Sequence, residues 1–271
     1  MKPKVVILCG GKGTRLREET ENKPKPLLSI GKHPILWHIM KHYSFYGFND
    51  FILCLGYKGH LIKEYFINYK NRGDIQLNLK NGFHTILEDG DPVENWNIIF
   101  ADTGMETNTG GRIKKIEKYI NEEYFFLTYG DGVSDVNLKK LEEYFKLKQK
   151  IGVITGIRPR SKYGKITIDP DCMVTGFQEK PLLNDYINGG FCVFHRKILN
   201  YMDDNCVLEQ EVFEHLVNEK ELAMYKHEGF WKCMDTYKDY KELNEIWKNC
   251  DFSWKYISQQ EYSNDKNNQI D

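Results

Sequence analysis

Short apolar runs alternate with amphipathic segments along the first half of the chain. The apolar runs predict strands at Val5–Cys9, Asp50–Leu55, Asn97–Phe100, Tyr124–Tyr129 and Ile151–Gly156. The segments between them predict helices at Pro34–Tyr46, Leu61–Tyr69, Gly111–Tyr119 and Leu138–Gln149. Strands that alternate with helices in this way predict an α/β fold, with a mostly parallel mixed sheet flanked by helices.

The pattern is more mixed after residue 156. Short strands are predicted at Lys165–Ile168, Val174–Gln178 and Gly190–Phe194, and helices at Glu209–Glu219 and Asp239–Trp247. The residues from 258 onward are polar and predict a loosely ordered tail. We therefore predict a single domain over residues 1–257, with a first part at 1–156 and a C-terminal part at 157–257, followed by the tail at 258–271.

Composition excludes several classes of protein. Hydrophobic residues are 41% and charged residues 28%, as in ordinary globular proteins, and the net charge of -1 gives no general attraction to nucleic acid or anionic membrane. No apolar run approaches the roughly 20 residues of a membrane span. The seven cysteines are scattered without a CxxC pair, which argues against a zinc site and a disulfide framework. These cysteines suit a reducing compartment and the N-terminus has no signal-peptide core, so we expect a cytoplasmic protein.

Candidate chemistry is concentrated in residues 8–28, LCGGKGTRLREETENKPKPLL. Gly10, Gly11 and Gly13 follow a predicted strand and allow a tight loop whose backbone N–H groups point at a phosphate. Arg15 offers a planar fork for phosphate oxygens, and Thr14 adds a hydroxyl. In parallel sheets ligands bind beyond the carboxyl ends of the strands, and this loop lies at such an end.

Lys25 stands between Pro24 and Pro26, which stiffen the backbone that carries its ammonium. Spacing excludes two other phosphate-binding motifs around the loop. The GxGxxG pattern fails because Leu16 stands where its third glycine would be, and Walker A fails because no Gly-Lys-Ser/Thr ends the loop. A glycine pair alone would also suit an incidental surface loop.

The run GGxGTRL followed by PKPL resembles the signature of the sugar-nucleotide pyrophosphorylases, a family of nucleotidyltransferases. The resemblance implies a Rossmann-like fold of the nucleotide-diphospho-sugar transferase type. It implies that residues 1–156 bind the nucleotide and that residues 157–257 include the sugar-phosphate site. It also implies that Arg15 and the loop hold a nucleoside triphosphate, while Lys25 meets the phosphates near the reacting centre. Arg15 and Lys25 are therefore the candidate catalytic residues.

A metal site is implied by the same resemblance. The family places metal-binding aspartates in a strand-end GD and in a later W…D segment, which correspond to Asp131 and Asp235. Carboxylates joined by phosphate oxygens and waters suit Mg²⁺, the expected cofactor. Taken alone, each aspartate would rather indicate a helix cap or turn, and Asp135 and Asp239 are nearby competitors.

The sugar-phosphate side resembles the family in two further segments. Glu179 and Lys180 belong to an EKP motif, whose lysine binds the phosphate of a sugar 1-phosphate in the family. Asn188 and Gly189 belong to an NGG segment that touches the sugar hydroxyls, and Tyr129 completes the expected substrate-binding set. From the residues alone, a surface salt bridge and a β-turn are equally good interpretations.

Further segments resemble the glucose-1-phosphate cytidylyltransferases, a subgroup of this family. They include WHIM, GYKG, DTG, TGGR, TYGDGVSD, FQEKP, INGGF and GFW…MDT, spread between Lys4 and Trp247. The resemblance implies that Thr107, Thr109 and Arg112 contact CTP, although residues 109–112 also suit a plain helix N-terminal turn. The implied nucleotide-binding residues are Leu8, Cys9, Gly10, Gly11, Gly13, Thr14, Arg15, Lys25, Thr107, Thr109, Arg112, Gly130 and Asp131.

The sequence departs from that subgroup at a few places. Cys9 stands where an alanine is usual, LLND follows FQEKP in place of a glycine-rich stretch, Arg158–Tyr163 differs in detail, and Asn71–Asn95 match poorly. These changes leave the reaction unaltered but concern the acceptor pocket.

The resemblance implies transfer of CMP from CTP to α-D-glucose 1-phosphate, giving CDP-glucose and pyrophosphate. It also implies a homo-oligomer that binds CTP and a sugar 1-phosphate but neither nucleic acid nor membrane. The family's product feeds deoxysugar synthesis for surface polysaccharide such as lipopolysaccharide O-antigen. Two alternatives stay open, namely cytidylyl transfer to another phosphorylated acceptor, and a non-catalytic nucleotide-binding relative.

Overall fold

The structure of the protein is a computed structural model. It describes residues 2–16, 20–69, 75–77, 79–80, 84–86 and 94–249. The predicted polar tail at 258–271 lies outside these residues, as does most of the segment 71–95. Within the described ranges, no helix is long and apolar enough to cross a bilayer.

The described strands and helices follow the chain in this order. The strands are β1 (Val5–Leu8), β2 (Ser29–Ile30), β3 (His33–Pro34), β4 (Asp50–Leu55), β5 (Ile75–Leu77), β6 (His84–Ile86), β7 (Asn97–Asp102), β8 (Tyr124–Tyr129), β9 (Gly132–Ser134), β10 (Gly152–Ile157), β11 (Lys165–Ile168), β12 (Val174–Gln178), β13 (Ile187–His195), β14 (Leu222–His227) and β15 (Trp231–Cys233). The α-helices are α1 (Ile35–Phe45), α2 (Gly59–Ile67), α3 (Thr109–Lys115), α4 (Leu138–Lys148), α5 (Phe213–Asn218) and α6 (Tyr237–Lys248).

A seven-stranded sheet runs through the molecule in the order β14–β10–β13–β8–β1–β4–β7. β1 is parallel to both β4 and β8, β4 is parallel to β7, and β10 is parallel to β14. β13 is antiparallel to both of its neighbours. The predicted mostly parallel mixed sheet is therefore confirmed.

β1 lies in the interior of this sheet because all four of its side chains are apolar and buried. Val5 and Ile7 belong to one hydrophobic core, together with residues of α1 and α4. Val6 and Leu8 belong to a second core on the other face, together with residues of α3 and α5. Helices thus cover both faces, as the alternation of elements predicts.

Two predicted helices differ in the structure. The helix predicted at Glu209–Glu219 is a π-helical turn, Leu208–Val212, followed by α5. The helix predicted at Gly111–Tyr119 begins earlier, at Thr109, and gives way to a 3₁₀ turn at Glu117–Tyr119. Glycines in α3 permit close packing, since a Cβ on Gly110 would lie 2.4 Å from the Sγ of Cys206.

The C-terminal part contributes to the central sheet through β13 and β14, whereas β11 and β12 form a separate two-stranded arm. The division of the domain after residue 156 stays a prediction.

Candidate active site

A short antiparallel ribbon brings two distant aspartates together. β9 pairs with β15 so that Gly132 lies opposite Cys233. Asp131 directly precedes β9 and Asp235 follows β15, and the N–H of Met234 donates to the carbonyl of Asp131 at 2.8 Å. The ribbon follows β8, so the aspartates lie at the carboxyl edge of the parallel strands, where ligands bind in such sheets.

Lys25 links these aspartates. Its Nζ donates to Asp131 Oδ2 and to Asp235 Oδ1, each at 2.7 Å. Arg15 Nη1 donates to the other oxygen of Asp235 at 3.3 Å. The side chain of Lys25 is 12% exposed, and that of Arg15 is 77% exposed. The structure therefore brings four predicted site residues into one contiguous cluster.

The charges in this cluster stabilise one another. Burial lowers the pKa of Lys25, but the charge of Asp131 and the hydrogen bonds that Lys25 donates to both aspartates outweigh it, so the pKa is raised. Burial raises the pKa of Asp235, but the hydrogen bond and charge of Lys25 and the charge of Arg15 lower it below its ordinary value. Lys25 and Asp235 are therefore both charged at neutral pH.

The donor set suits a divalent metal ion. A carboxylate oxygen of Asp131, one of Asp235 and the Sγ of Cys233 all lie within 4.8 Å of one another. Carboxylate oxygens are the ligands that hard divalent cations prefer. Burial, and then the charge of Asp131, raise the pKa of the Cys233 thiol, so this group is uncharged at neutral pH. The two carboxylates are thus the groups fit to hold the metal.

The glycine loop after β1 is closed on one side and open on the other. The carbonyl of Gly10 accepts from Arg112 Nη2 at 3.3 Å, and a Cβ on Gly10 would lie 2.2 Å from Arg112 Nη1. A Cβ on Gly11 would meet no atom within 4 Å. Gly13 has φ +62°, a left-handed conformation that favours glycine. The loop can therefore present its free side to a ligand.

Arg112 is buried beneath this loop with only 5% of its surface exposed. Besides the Gly10 carbonyl, its guanidinium donates to four further groups, the carbonyls of Leu55, Gly104 and Met105 and the hydroxyl of Thr103. The side chain thus joins the glycine loop to the ends of β4 and β7. Its predicted contact with CTP stays a prediction.

Thr107 and Thr109 make contacts within the protein. Thr107 Oγ1 donates to the carbonyl of Thr103 at 2.6 Å, and Thr109 Oγ1 donates to Glu209 Oε2 at 2.6 Å. The hydroxyl of Tyr129 also donates to Glu209, and burial raises the pKa of that hydroxyl. Glu209 was missed from the sequence, because its partners lie in elements distant along the chain.

Residues Asn188–Gly190, at the start of β13, pack against Tyr129 and the ribbon. The N–H of Gly190 donates to Asn188 Oδ1 at 2.9 Å, and Trp231 Nε1 donates to the carbonyl of Gly189 at 2.7 Å. Gly190 has φ +80°, and a Cβ there would lie 2.7 Å from the Tyr129 ring. The structure thus brings Tyr129, Asn188 and Gly189 together.

Lys180 and Glu179 lie just beyond β12, on the two-stranded arm. Within the described part of the chain, Lys180 Nζ pairs with Glu179 Oε1 at 3.5 Å and with no residue of the Lys25 cluster. Both side chains are more than half exposed. The arm therefore leaves Lys180 free to meet an anion from solvent.

The remaining predicted residues occupy ordinary structural positions. Cys9 is buried and its thiol pKa is raised, chiefly by burial, while the N–H of Gly130 donates to the carbonyl of Leu8 at 3.0 Å. Thr14 opens an exposed 3₁₀ turn. The competing aspartates have other partners, since Asp135 pairs with His227 at 3.0 Å and Asp239 caps α6.

A separate surface depression of about 880 Å³ lies at the opposite end of β8. Its lining includes Glu123, Tyr124, Lys146 and Glu221 and none of the predicted site residues. The convergence of charged groups, rather than cavity size, therefore locates the candidate site.

Comparison with known proteins gives a matching family model. The model described as "Nucleotidyl transferase" matches residues 4–249. A curated relative from Bacillus subtilis (strain 168), named "Probable glucose-1-phosphate cytidylyltransferase", is 46% identical over 255 residues, which are 93% of this chain and 99% of the relative. The glucose-1-phosphate cytidylyltransferase of Salmonella typhi is 41% identical over 256 residues, 93% of this chain and 98% of the relative.

A solved structure agrees with these matches. The crystal structure of HddC from Yersinia pseudotuberculosis complexed with GMP-PN superposes with a TM-score of 0.66 at 25% sequence identity. The superposition covers 90% of this chain and 99% of the other.

Proposed function

Since the chain belongs to the nucleotidyl transferase family, we propose that it transfers CMP from CTP to α-D-glucose 1-phosphate, giving CDP-glucose and pyrophosphate. The relatives at 41% and 46% identity that carry this activity in their names span nearly the whole chain. The convergence of Lys25, Asp131 and Asp235 is the structural observation that supports catalysis by this protein.

The reaction brings two polyanions together, and the site supplies compensating charge. A phosphate oxygen of the sugar 1-phosphate attacks the α-phosphorus of CTP, and the bond from that phosphorus to pyrophosphate breaks. Asp131 and Asp235 would hold Mg²⁺, which supplies Lewis-acid charge stabilisation on the phosphates. The acceptor phosphate is already ionised, so a general base and a covalent enzyme intermediate are not required.

Arg15, Lys25 and Lys180 each have a position suited to one part of the negative charge of the two substrates. The open side of the glycine loop and Arg15 receive the triphosphate, and Arg15 offsets charge on the leaving pyrophosphate. Lys25, on its rigid turn, offsets charge near the reacting phosphorus. Lys180 on the arm meets the phosphate of the acceptor, while Asn188 and Tyr129 orient its sugar.

The test is an assay with purified protein, CTP, Mg²⁺ and glucose 1-phosphate. We expect release of pyrophosphate, which is measured by coupled phosphate detection, together with CDP-glucose, which is measured by chromatography. The other nucleoside triphosphates serve as specificity controls. No product with any nucleotide would favour the non-catalytic alternative.

Loss of Lys25 should abolish most of this activity. We expect Lys25→Ala to lower kcat/KM by roughly a hundred- to a thousandfold, since a fixed charge near the reacting phosphorus is removed. Lys139→Ala, at an exposed position of α4, should keep wild-type kinetics. Near-normal turnover of Lys25→Ala, with circular dichroism showing a folded protein, would remove Lys25 from the mechanism.

A second candidate function concerns the acceptor. The LLND run that departs from the subgroup lies on the arm next to Lys180, and Arg158 Nε holds the carbonyl of Leu183 at 3.0 Å. Transfer of CMP onto another phosphorylated acceptor is therefore the second candidate function. A panel of sugar phosphates and phosphonates at fixed CTP separates the two by kcat/KM.

A homo-oligomer and a cytoplasmic location also remain predictions. Apolar side chains on the arm favour an association, since Ile166, Ile168, Val174 and Phe177 are each more than half exposed. The six described cysteines are free thiols, which agrees with a reducing compartment.

A further inference from the structure

Lys25 occupies the space between the two carboxylates that are fit to hold a metal. Its ammonium lies 2.7 Å from one oxygen of Asp131 and 2.7 Å from one oxygen of Asp235. Oxygens of the same two side chains lie within 4.8 Å of each other, a separation that one cation can span. The Lys25 side chain is only 12% exposed, while those of Asp131 and Asp235 are 29% and 38% exposed. An ammonium and a divalent cation would repel each other in this space, because they would be like charges only a few ångströms apart.

We propose that Lys25 is an internal counter-ion, which competes with divalent cations for Asp131 and Asp235 until a nucleotide draws its ammonium away. This inference deepens the proposed function and rests on it for the assignment of the two aspartates as metal ligands. Lys25 then has two roles, as a competitor of the metal for the two aspartates and as a cation of the reaction.

The surroundings of Lys25 favour movement of the ammonium rather than of the backbone. The turn that carries it is fixed, since the N–H of Leu27 donates to Pro24 O at 2.8 Å and the N–H of Leu28 donates to Lys25 O at 3.1 Å. The long side chain can change rotamer without moving this turn. Gly13 lies beside it, since a Cβ on Gly13 would be 3.3 Å from Lys25 Cβ, so the side chain starts next to the glycine loop.

Two consequences follow from charge balance. Without nucleotide, a cation that binds the aspartates must displace Lys25 from both of its described carboxylate partners, so binding is weak. With a triphosphate on the loop, the ammonium gains new anionic partners and the aspartates become available. By linkage, the nucleotide therefore strengthens metal binding, and the metal strengthens nucleotide binding by the same factor.

The test measures Mn²⁺ binding in the absence of nucleotide, by electron paramagnetic resonance of free Mn²⁺ and by calorimetry. We expect Lys25→Met, which keeps much of the volume but removes the charge, to bind Mn²⁺ at least about tenfold more tightly than the wild type. Lys25→Arg keeps a cation and should stay as weak as the wild type. Lys139→Ala should also match the wild type, and Asp131→Asn should lose the gain when it is combined with Lys25→Met.

Equal or weaker Mn²⁺ binding by folded Lys25→Met would overturn the proposal. If that variant does not fold, Lys25→Gln provides the same comparison, together with thermal denaturation. Mn²⁺ should then raise the Tm of the neutral variant more than that of the wild type, and an equal rise would overturn the proposal. The Mn²⁺ measurements need no turnover, so they test the counter-ion role even if the CDP-glucose assay fails. Conversely, an unchanged Mn²⁺ affinity would disprove the counter-ion role and leave the proposed reaction unaffected.

Discussion

At the scale of single residues, Arg112 is the side chain on which the glycine loop depends. A buried guanidinium is costly to desolvate, yet here its donors reach backbone carbonyls of three chain segments. Gly10 must be glycine for this contact, since a Cβ would overlap the guanidinium. The position of the glycine loop therefore relies on a residue far along the chain.

Replacing Arg112 should destabilise the protein and weaken nucleotide binding together. In Arg112→Met the carbonyls that lose their donors stay buried, which costs about 3 kcal/mol or more of unfolding free energy. We expect Tm to fall by roughly 6–12 °C, measured by calorimetry, and CTP affinity to fall as the loop loosens. Lys118→Met, at an exposed site after the same helix, should change neither. An unchanged Tm in Arg112→Met would contradict the bracing role.

Some site residues can be predicted from the sequence and others cannot. Lys25 is marked by the prolines around it, whereas Asp131 is marked only through the resemblance of its strand-end GD to the family. Glu209 and Cys233 carry no such mark. Cys233 approaches the aspartates because β15 pairs with β9, and Glu209 meets Tyr129 because a π-helical turn places it there, which are both properties of the folded chain.

At the scale of elements, the ribbon and α6 together fix the position of Asp235. Thr236 caps α6 through a capping box, in which its Oγ1 accepts from the N–H of Asp239 at 3.2 Å and the Asp239 carboxylate accepts from the N–H of Thr236 at 2.8 Å. Asp235 therefore lies between a paired strand and a capped helix, which limits the directions its carboxylate can take.

Two helix-cap variants separate the effect of a cap on protein stability from its effect on the position of Asp235. Thr236→Ala and Asn137→Ala each remove a side-chain acceptor at a helix N-terminus and should each cost about 1 kcal/mol, or roughly 2–4 °C in Tm. Because only Thr236 adjoins Asp235, only its variant should also lower kcat/KM, by roughly tenfold. Equal kinetic effects in the two variants would mean that the cap of α6 has no specific role in the site.

Strands were predictable where their apolar run is long. The predicted strands at Asp50–Leu55 and Tyr124–Tyr129 coincide with β4 and β8, because continuous apolar runs mark fully buried strands. β14 was missed because its LAMYKH sequence lacks a clear period, as suits a half-buried edge of the sheet. β15 has three residues, too few to show any period, although it holds the site together.

At the scale of the whole molecule, acid stability depends on two buried histidines of α1, His38 and His42. Burial lowers the pKa of His38 to about 3 and that of His42 to about 3. The folded protein thus keeps them neutral, whereas the unfolded chain protonates them below a pKa of about 6.5. Because the unfolded state binds more protons, stability falls as the pH falls from about 6.5 towards 3.

Acid sensitivity should therefore be measurable between pH 7 and pH 5. Each buried histidine should lower the unfolding free energy by about 2 kcal/mol over this range. His42→Phe suits the aromatic surroundings formed by Tyr43, Tyr46 and Phe191. In this variant the loss of unfolding free energy between pH 7 and pH 5 should be smaller by the contribution of one histidine. Urea denaturation at both pH values tests this, with the exposed His60→Gln as the variant that should keep the full loss. An undiminished loss in His42→Phe would disprove the assignment.

The fold class follows from the order of elements in the sequence, but strand direction does not. An apolar run looks the same whichever way its strand lies in the sheet, so the antiparallel course of β13 could not be predicted. The exposed ion pair of Lys180 with Glu179 matches the surface salt bridge that the residues alone allowed, whereas the way the arm leaves the sheet could not be predicted.

The reversed course of β13 brings both ends of the two-stranded arm to one edge of the sheet. β10 reaches the carboxyl edge with its last residue, Ile157, and β13 starts there with Ile187 directly opposite. Residues 158–186 therefore leave and rejoin the scaffold at adjacent points, as an insertion loop would. Substitutions or length changes between these two points should therefore leave the central sheet and the Lys25 cluster in place.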